Sequence, residues 1–451
     1  MGEQQDEDGV GLFEKVDLLI PAYRERLSKI KREHGNTELQ PHTIQNLIAG
    51  SRGIKSLLWD VSKLEPDRGI LYRGLSIPQC FSVLPSSSGE EPPVEGVLWL
   101  LLTGCVPTPA QMKDLSVDLA DRVCRVPDFV FDCINALPVS AHPMTQLVCG
   151  IMALQTDSQF ARAYASSTPT QQLWRQALED SLNIIAKVPR IAGFIYRRIY
   201  HEGDFIGPSP NLDLAANFCH MLGFDDPHMY DMMRKYLVIH SDHEGGAVSA
   251  HAVRLVGSAL ADPYLAFAAG MNGCAGPLHG LAIQDSFKWI KQVSVDLGGS
   301  DVEISVLEDY VRSKLQAGHI IPGFGHALLK QTDPRYTCLY EFCEKNFPDD
   351  PYFQLVKKLK EVVPAVMRHQ GKVRNPWPNV DAIIGVVFNH FGLHDESFFP
   401  VVLGVARSIG SLSQLVWDRA LCLPIERPST VNMDWIEAFC KSRTDNKQEQ
   451  A

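Results

Sequence analysis

The segment from Phe398 to Cys422, FFPVVLGVARSIGSLSQLVWDRALC, is apolar on more than one face, with hydrophobic residues recurring three and four apart. A helix of that kind has no side to turn toward water, so it must lie deep in a core or an interface with other elements around it. Its glycines Gly404 and Gly410 would allow close helix approach, although plain packing accounts for most of its small residues. Leu173 to Val188 repeats the spacing. Helical periodicity prevails over strict alternation along most of the chain, which points to an all-α fold with minor strands. A short hairpin is expected within Leu57 to Arg73, where two apolar runs flank EPDRG. Loops rich in Pro, Gly, Ser or Asn fall at Leu84–Gly96, Ile206–Asn211 and Arg374–Asn379. No period of 20 to 50 residues repeats, so a solenoid is not indicated.

A chain of 451 residues exceeds one minimal core. Changes of character near Gly276 and Gly392 suggest a segment of roughly a hundred residues inserted into a larger domain. The net charge of -11 argues against a nucleic-acid partner. Eleven cysteines without a C-x-x-C pair suggest neither a disulfide framework nor a zinc knuckle. The apolar run Val97 to Val106 is broken by Thr103 and Gly104 and is short for a bilayer span, so no membrane partner is expected. The opening MGEQQDEDG is acidic and free of arginine, Asp6 stands where myristoylation wants Ser or Thr, and the final EQA is no peroxisomal address. These features set the expectation of a cytoplasmic protein.

Four stretches put histidine, arginine and aspartate beside glycine or proline: HSDHEGG (His240–Gly246), GPLHG (Gly276–Gly280), PGFGHALLKQTDPRY (Pro322–Tyr336) and NPWPNVD (Asn375–Asp381). Arg407 and Arg427 follow in GVARS and PIERP. Such placement puts polar groups at helix ends facing a cleft. His240 and His243, three apart, lack the third ligand that zinc needs, so no metal is expected, and His240 fits a cap or core role better. GFGH lacks the third glycine of a dinucleotide loop, and no G-x-S-x-G elbow is present. Converging arginine forks fit a dicarboxylate or tricarboxylate. Asp381, next to Val380, Ile383 and Ile384, would be desolvated into a stronger base, with an N-cap as its plain alternative. Histidines opposite could donate to oxygens gaining charge. Together these groups could remove a proton beside one carbonyl and add the carbanion to another.

HSDHEGG, SAHAVRLVGSALADPYLAFAAGMNG, AGPLHGLA, PGFGHALL, TDPRYTC, NPWPNVDA and PIERP resemble the citrate synthase family of the eukaryotic type, from about Arg52 to about Pro428. The resemblance implies a helical homodimer with a large domain (1–278 and 389–451) and a small mobile domain (279–388) around a cleft, and no cofactor beyond the CoA thioester substrate. It also implies that oxaloacetate binds before the acyl-CoA. Carried over by position, Asp381 would be the base, His279 would bind the thioester oxygen, and His326 would donate to the oxaloacetate carbonyl. His243, Arg335, Arg407 and, from the partner subunit, Arg427 would hold carboxylates. Gly323, Phe324 and Gly325 resemble the adenine-binding loop. Arg52, Arg162, Lys330, Lys372 and Arg374 are candidates for CoA contacts.

The chain departs from the family's pattern around the expected acyl end. Ala247 and Ile283 replace asparagines, Cys274 a leucine, and Leu403 a phenylalanine; DAIIG places Ile383 and Ile384 where the pattern has His-Ser; Lys330 replaces an arginine. Smaller or more apolar lining would favour a longer acyl chain, at about 25 cal/mol per Å² buried. The expectation is therefore an alkylcitrate synthase resembling fungal enzymes of secondary metabolism. The alternatives are an ordinary citrate or 2-methylcitrate synthase and a non-catalytic ligand-sensing dimer.

Overall fold

In the computed structural model, which describes residues 9–86, 89–369 and 375–448, twenty α-helices accompany one three-stranded antiparallel sheet. The helix Phe399–Ala420 is buried along its whole length and packs against Trp174–Tyr200, Val94–Thr103, Pro227–His240 and Val248–Ser258. It is long and apolar enough to cross a bilayer, yet every residue of that window is inside the protein. Its polar side chains are mostly satisfied where they lie. Ser411 and Ser413 donate to carbonyls one turn back, Trp417 Nε1 donates to Leu102 O at 2.9 Å, and Gln414 Oε1 accepts from the Asp60 and Val61 amides at 3.0 and 3.3 Å.

The helix foreseen from Leu173 to Val188 is longer, Trp174–Tyr200, and runs straight through the buried Pro189. Proline removes one backbone hydrogen bond, but stopping there would expose Ile191, Ile195 and Tyr196, all now buried, so burial prevails. The hairpin falls inside the expected range: Ser62–Glu65 pairs with Gly69–Tyr72 in the register Ser62↔Tyr72 to Glu65↔Gly69, and Leu75–Ser76 extends the sheet.

The helices Ala282–Asp296, Ile304–Gln316, Pro334–Asn346, Pro351–His369 and Asp381–His390 pack on one another. Two of their connecting loops lie side by side: Gly325 N donates to Trp377 O and Asn379 N to Gly323 O, both at 2.9 Å, with a bridge between Phe324 and Pro378. Gly323 has φ of +79°, and a Cβ there would stand 2.7 Å from Ala382 Cα and from Ser286 Oγ. Only glycine lets this loop lie against the start of the Asp381 helix.

Candidate active site

The helix Pro227–His240 ends in the loop Ser241–Ala247, and the hairpin fixes that loop's shape. Asp242 Oδ2 accepts from Trp59 Nε1 at 3.0 Å and Ser62 Oγ at 2.5 Å; the Leu64 amide donates to Glu244 Oε2 at 3.0 Å. Glu244 takes a positive φ of 56°, which turns the chain and leaves His243 facing the cleft. His240 is a core histidine, as expected, stacked on Tyr236 with Nδ1 3.0 Å from Tyr236 O, and it also reaches the cleft wall. Burial, then the neighbouring Arg335 and Arg407, hold His243 well below the usual imidazole range. Its Nε2 is buried without a hydrogen-bond partner among the described residues, and its ring lies 5.7 Å edge-on from that of His326.

His279 sits in the turn after Pro263–Cys274, closed by hydrogen bonds from His279 N to Gly276 O and Gly280 N to Cys274 O at 3.0 and 3.1 Å. Ser249 places both its amide (3.4 Å) and its hydroxyl (2.8 Å) on His279 Nε2, which makes Nε2 an acceptor and leaves the proton on Nδ1. Burial, with Arg407 adding, lowers this histidine to about 4. His326 is fixed the other way round. Its Nδ1 accepts from the Leu328 and Leu329 amides, each at 3.0 Å, so Nε2 carries the proton, and burial and Arg335 keep it neutral.

Asp381 opens the helix Asp381–His390, where the helix N-terminus favours its charge. Burial outweighs that: with Arg335 opposing and Asp333 adding, the carboxyl is pushed up to about 6. Its amide donates to Asn379 Oδ1 at 2.9 Å, and its carboxylate accepts no hydrogen bond from the described residues. Arg335 is buried on Asp333 at 2.7 Å, and Arg407 enters from the central helix. These side chains converge on a cleft of about 380 Å³ lined by His243, His279, His326, Arg335, Asp381 and Arg407. Two neutral imidazoles of opposite tautomer, a carboxylate with raised basicity and two guanidiniums fit proton removal beside a carbonyl of an anionic substrate. No group of three or more His, Cys, Asp or Glu suited to a metal ion occurs among the described residues.

The other expected residues divide. Ala247 and Leu403 line the cleft, as does Ile283. Cys274, Ile383 and Ile384 do not: all three are fully buried in the core, Cys274 beneath the 276–280 turn and the isoleucines on the inner face of the Asp381 helix. Gly323, Phe324 and Gly325 form the paired loop described above, outside the cleft lining. Arg162 binds the Thr156 and Asp157 carbonyls, Arg52 is exposed, and Lys330 lies 3.7 Å from Asp67 on the hairpin turn; none of the three lines the cleft. Lys372 and Arg374 fall outside the described residues. Arg427 is exposed, in the segment before the helix Met433–Gln448. Sequence reasoning missed Ser249, Asn379 and Asp242, which contact His279, the Asp381 amide and Arg407 and were already visible inside the quoted motifs.

A cleft of this composition within a nearly all-helical fold defines an acyltransferase of the citrate synthase type. The family description "Citrate synthase, C-terminal domain" matches residues 50–429, and the chain belongs to that family. It is 53% identical over 440 residues to citrate synthase 4, mitochondrial, of Arabidopsis thaliana, covering 97% of this chain and 92% of the relative. It is also 48% identical over 419 residues to the probable mitochondrial citrate synthase of Glossina morsitans morsitans, covering 92% of this chain and 90% of the relative. The fold matches the crystal structure of citrate synthase from Pyrobaculum aerophilum with a TM-score of 0.73 at 23% identity, over 86% of this chain and 92% of that one. The expectation of a cytoplasmic protein is overturned: these curated relatives are named mitochondrial. A few residues at each end of the sequence were too slight a basis for it. The relatives likewise lend nothing to a role in secondary metabolism.

Proposed function

We propose that this protein condenses acetyl-CoA with oxaloacetate and hydrolyses the resulting thioester to release CoA and citrate. Asp381 takes the α-proton, its basicity raised by burial. His279 donates its Nδ1 proton to the thioester oxygen, where negative charge gathers as the enol or enolate forms. His326 donates from Nε2 to the ketone of oxaloacetate as the new carbon–carbon bond closes. Arg335, Arg407 and His243 hold the carboxylates. The observation that carries this reading is the pair of neutral histidines, each locked in one tautomer by backbone or hydroxyl groups, facing in one cleft a carboxylate that accepts no hydrogen bond from the described residues.

The relatives' names support an acetyl donor. So does the burial of Cys274, Ile383 and Ile384 in the core, which removes one side chain expected to widen the acyl site and two expected to line it. A second reading, a longer acyl-CoA giving a 2-alkylcitrate, is supported by Ala247, Ile283 and Leu403 on the wall. Comparing kcat/KM for CoA release with acyl-CoAs from two to twelve carbons separates the two. A maximum at acetyl supports the main reading, and a maximum at six carbons or longer replaces it.

The active unit in this reading is a homodimer, with Arg427 entering the partner's cleft. Exposed Ile425, Val431, Met433 and Trp435 around that segment support a second chain covering it. Closure of residues 279–388 over oxaloacetate would shield the cleft before acyl-CoA binds, and the relatives support a mitochondrial setting.

A further inference from the structure

On the central helix Arg407, like Arg419 at its Nε, keeps buried nitrogens unbonded among the described residues. Arg407 Nε and Nη1 are buried and find no hydrogen-bond partner among the described residues. The carboxylate it faces is Asp242, whose Oδ1 lies 3.9 Å from Nη1 and is likewise buried without a hydrogen bond from the described residues. That separation is held from both sides. Trp59 and Ser62 grip Asp242 Oδ2, and the Asp242 amide and carbonyl each lie 3.3 Å from the Tyr72 hydroxyl. On the other side Gly410, one turn beyond Arg407, donates to Ser241 O at 2.9 Å, and a Cβ on Gly410 would stand 2.3 Å from Asp242 Cβ. Helix and loop are therefore clamped at a spacing where the two charges compensate each other without a hydrogen bond forming.

We propose that Asp242 is a positioning residue that acts as a fixed counter-charge, keeping the guanidinium of Arg407 open to a ligand carboxylate while limiting how tightly it is held. The proposal rests on the oxaloacetate reading above. A bonded pair would take up the edge of Arg407 that the substrate needs. A missing charge would leave an uncompensated cation that grips a dicarboxylate too strongly and a tricarboxylate product more strongly still, because repulsion from Asp242 grows with ligand charge.

Two substitutions with opposite expected signs test this. Asp242→Asn keeps an oxygen for Trp59 and Ser62 but removes the charge. The KM for oxaloacetate falls roughly tenfold, inhibition by added citrate strengthens at least as much, and kcat falls as release slows. Trp59→Phe keeps the charge but removes one of the two donors that hold Oδ2, leaving Ser62 alone on it, so the carboxylate can turn toward Arg407 Nη1 and the KM for oxaloacetate rises. The KM for acetyl-CoA stays unchanged in both. A loop with a merely structural role would move both variants the same way. An unchanged or raised KM for oxaloacetate in folded Asp242→Asn overturns the proposal. If that variant does not fold, Trp59→Phe decides alone: a rise supports the proposal and no rise overturns it. Wild-type protein that releases no CoA in the presence of oxaloacetate would instead remove the functional reading, and this inference with it.

Discussion

Replacing Asp381 by asparagine should make the protein more stable while abolishing its turnover. The carboxyl rises from 3.8 to about 6 because burial disfavours its charged form. Each unit is about 1.36 kcal/mol, so a shift of roughly two units corresponds to about 3 kcal/mol held against the folded state at neutral pH. The sign follows from proton counting. Between the unfolded value and about 6 the folded chain binds more protons than the unfolded one, so this residue's penalty grows as pH rises through that window and is constant above it. Asparagine has no such penalty. The difference between variant and wild type in urea unfolding should therefore be near zero at pH 3.5 to 4, increase through pH 6 and level off at about 3 kcal/mol by pH 8. The same ionisation should make wild-type kcat/KM fall about tenfold per pH unit below about 6. Equal stability of the two proteins at pH 8, or a less stable variant, would refute the claim that Asp381 is a desolvated base.

Three further outcomes follow from the geometry. Gly323→Ala forces a left-handed backbone on alanine and a 2.7 Å contact with Ala382 and Ser286, and should cost about 1–3 kcal/mol in denaturant unfolding. Leu403→Phe narrows the cleft wall and should lower kcat/KM for acyl chains of six or more carbons at least tenfold relative to acetyl-CoA; an equal effect on both would show that Leu403 does not face the acyl group. Asp381→Asn and Arg427→Ala, each inactive alone, should regain activity when unfolded and refolded together. A mixed dimer then holds one site with Asp381 from one chain and Arg427 from the other, and continued inactivity would count against Arg427 acting across the interface.

The central helix was legible because a stretch apolar on every side admits few placements, and the histidine, aspartate and arginine motifs were legible because breakers set them at helix ends. Other features depend on what packs against a residue. Pro189 reads as a stop, yet buried neighbours carry the helix past it. Ile383 and Ile384 read as pocket lining because they stand where the family pattern has His-Ser beside Asp381, but on the helix their side chains face the core. Ser249 and His279 are thirty positions apart, and only the close packing of Val248–Ser258 on Pro263–Cys274 brings the hydroxyl to Nε2 and fixes the tautomer. The clamp on Asp242 joins the hairpin, a helix end and the central helix, segments with no sequence signal for one another.

The most direct test is release of free CoA from acetyl-CoA by the purified protein, with and without oxaloacetate, for wild type and Asp381→Asn. The account predicts oxaloacetate-dependent release with stoichiometric citrate from the wild type, and none above background from the variant. Release that ignores oxaloacetate, or that survives in Asp381→Asn, would contradict it.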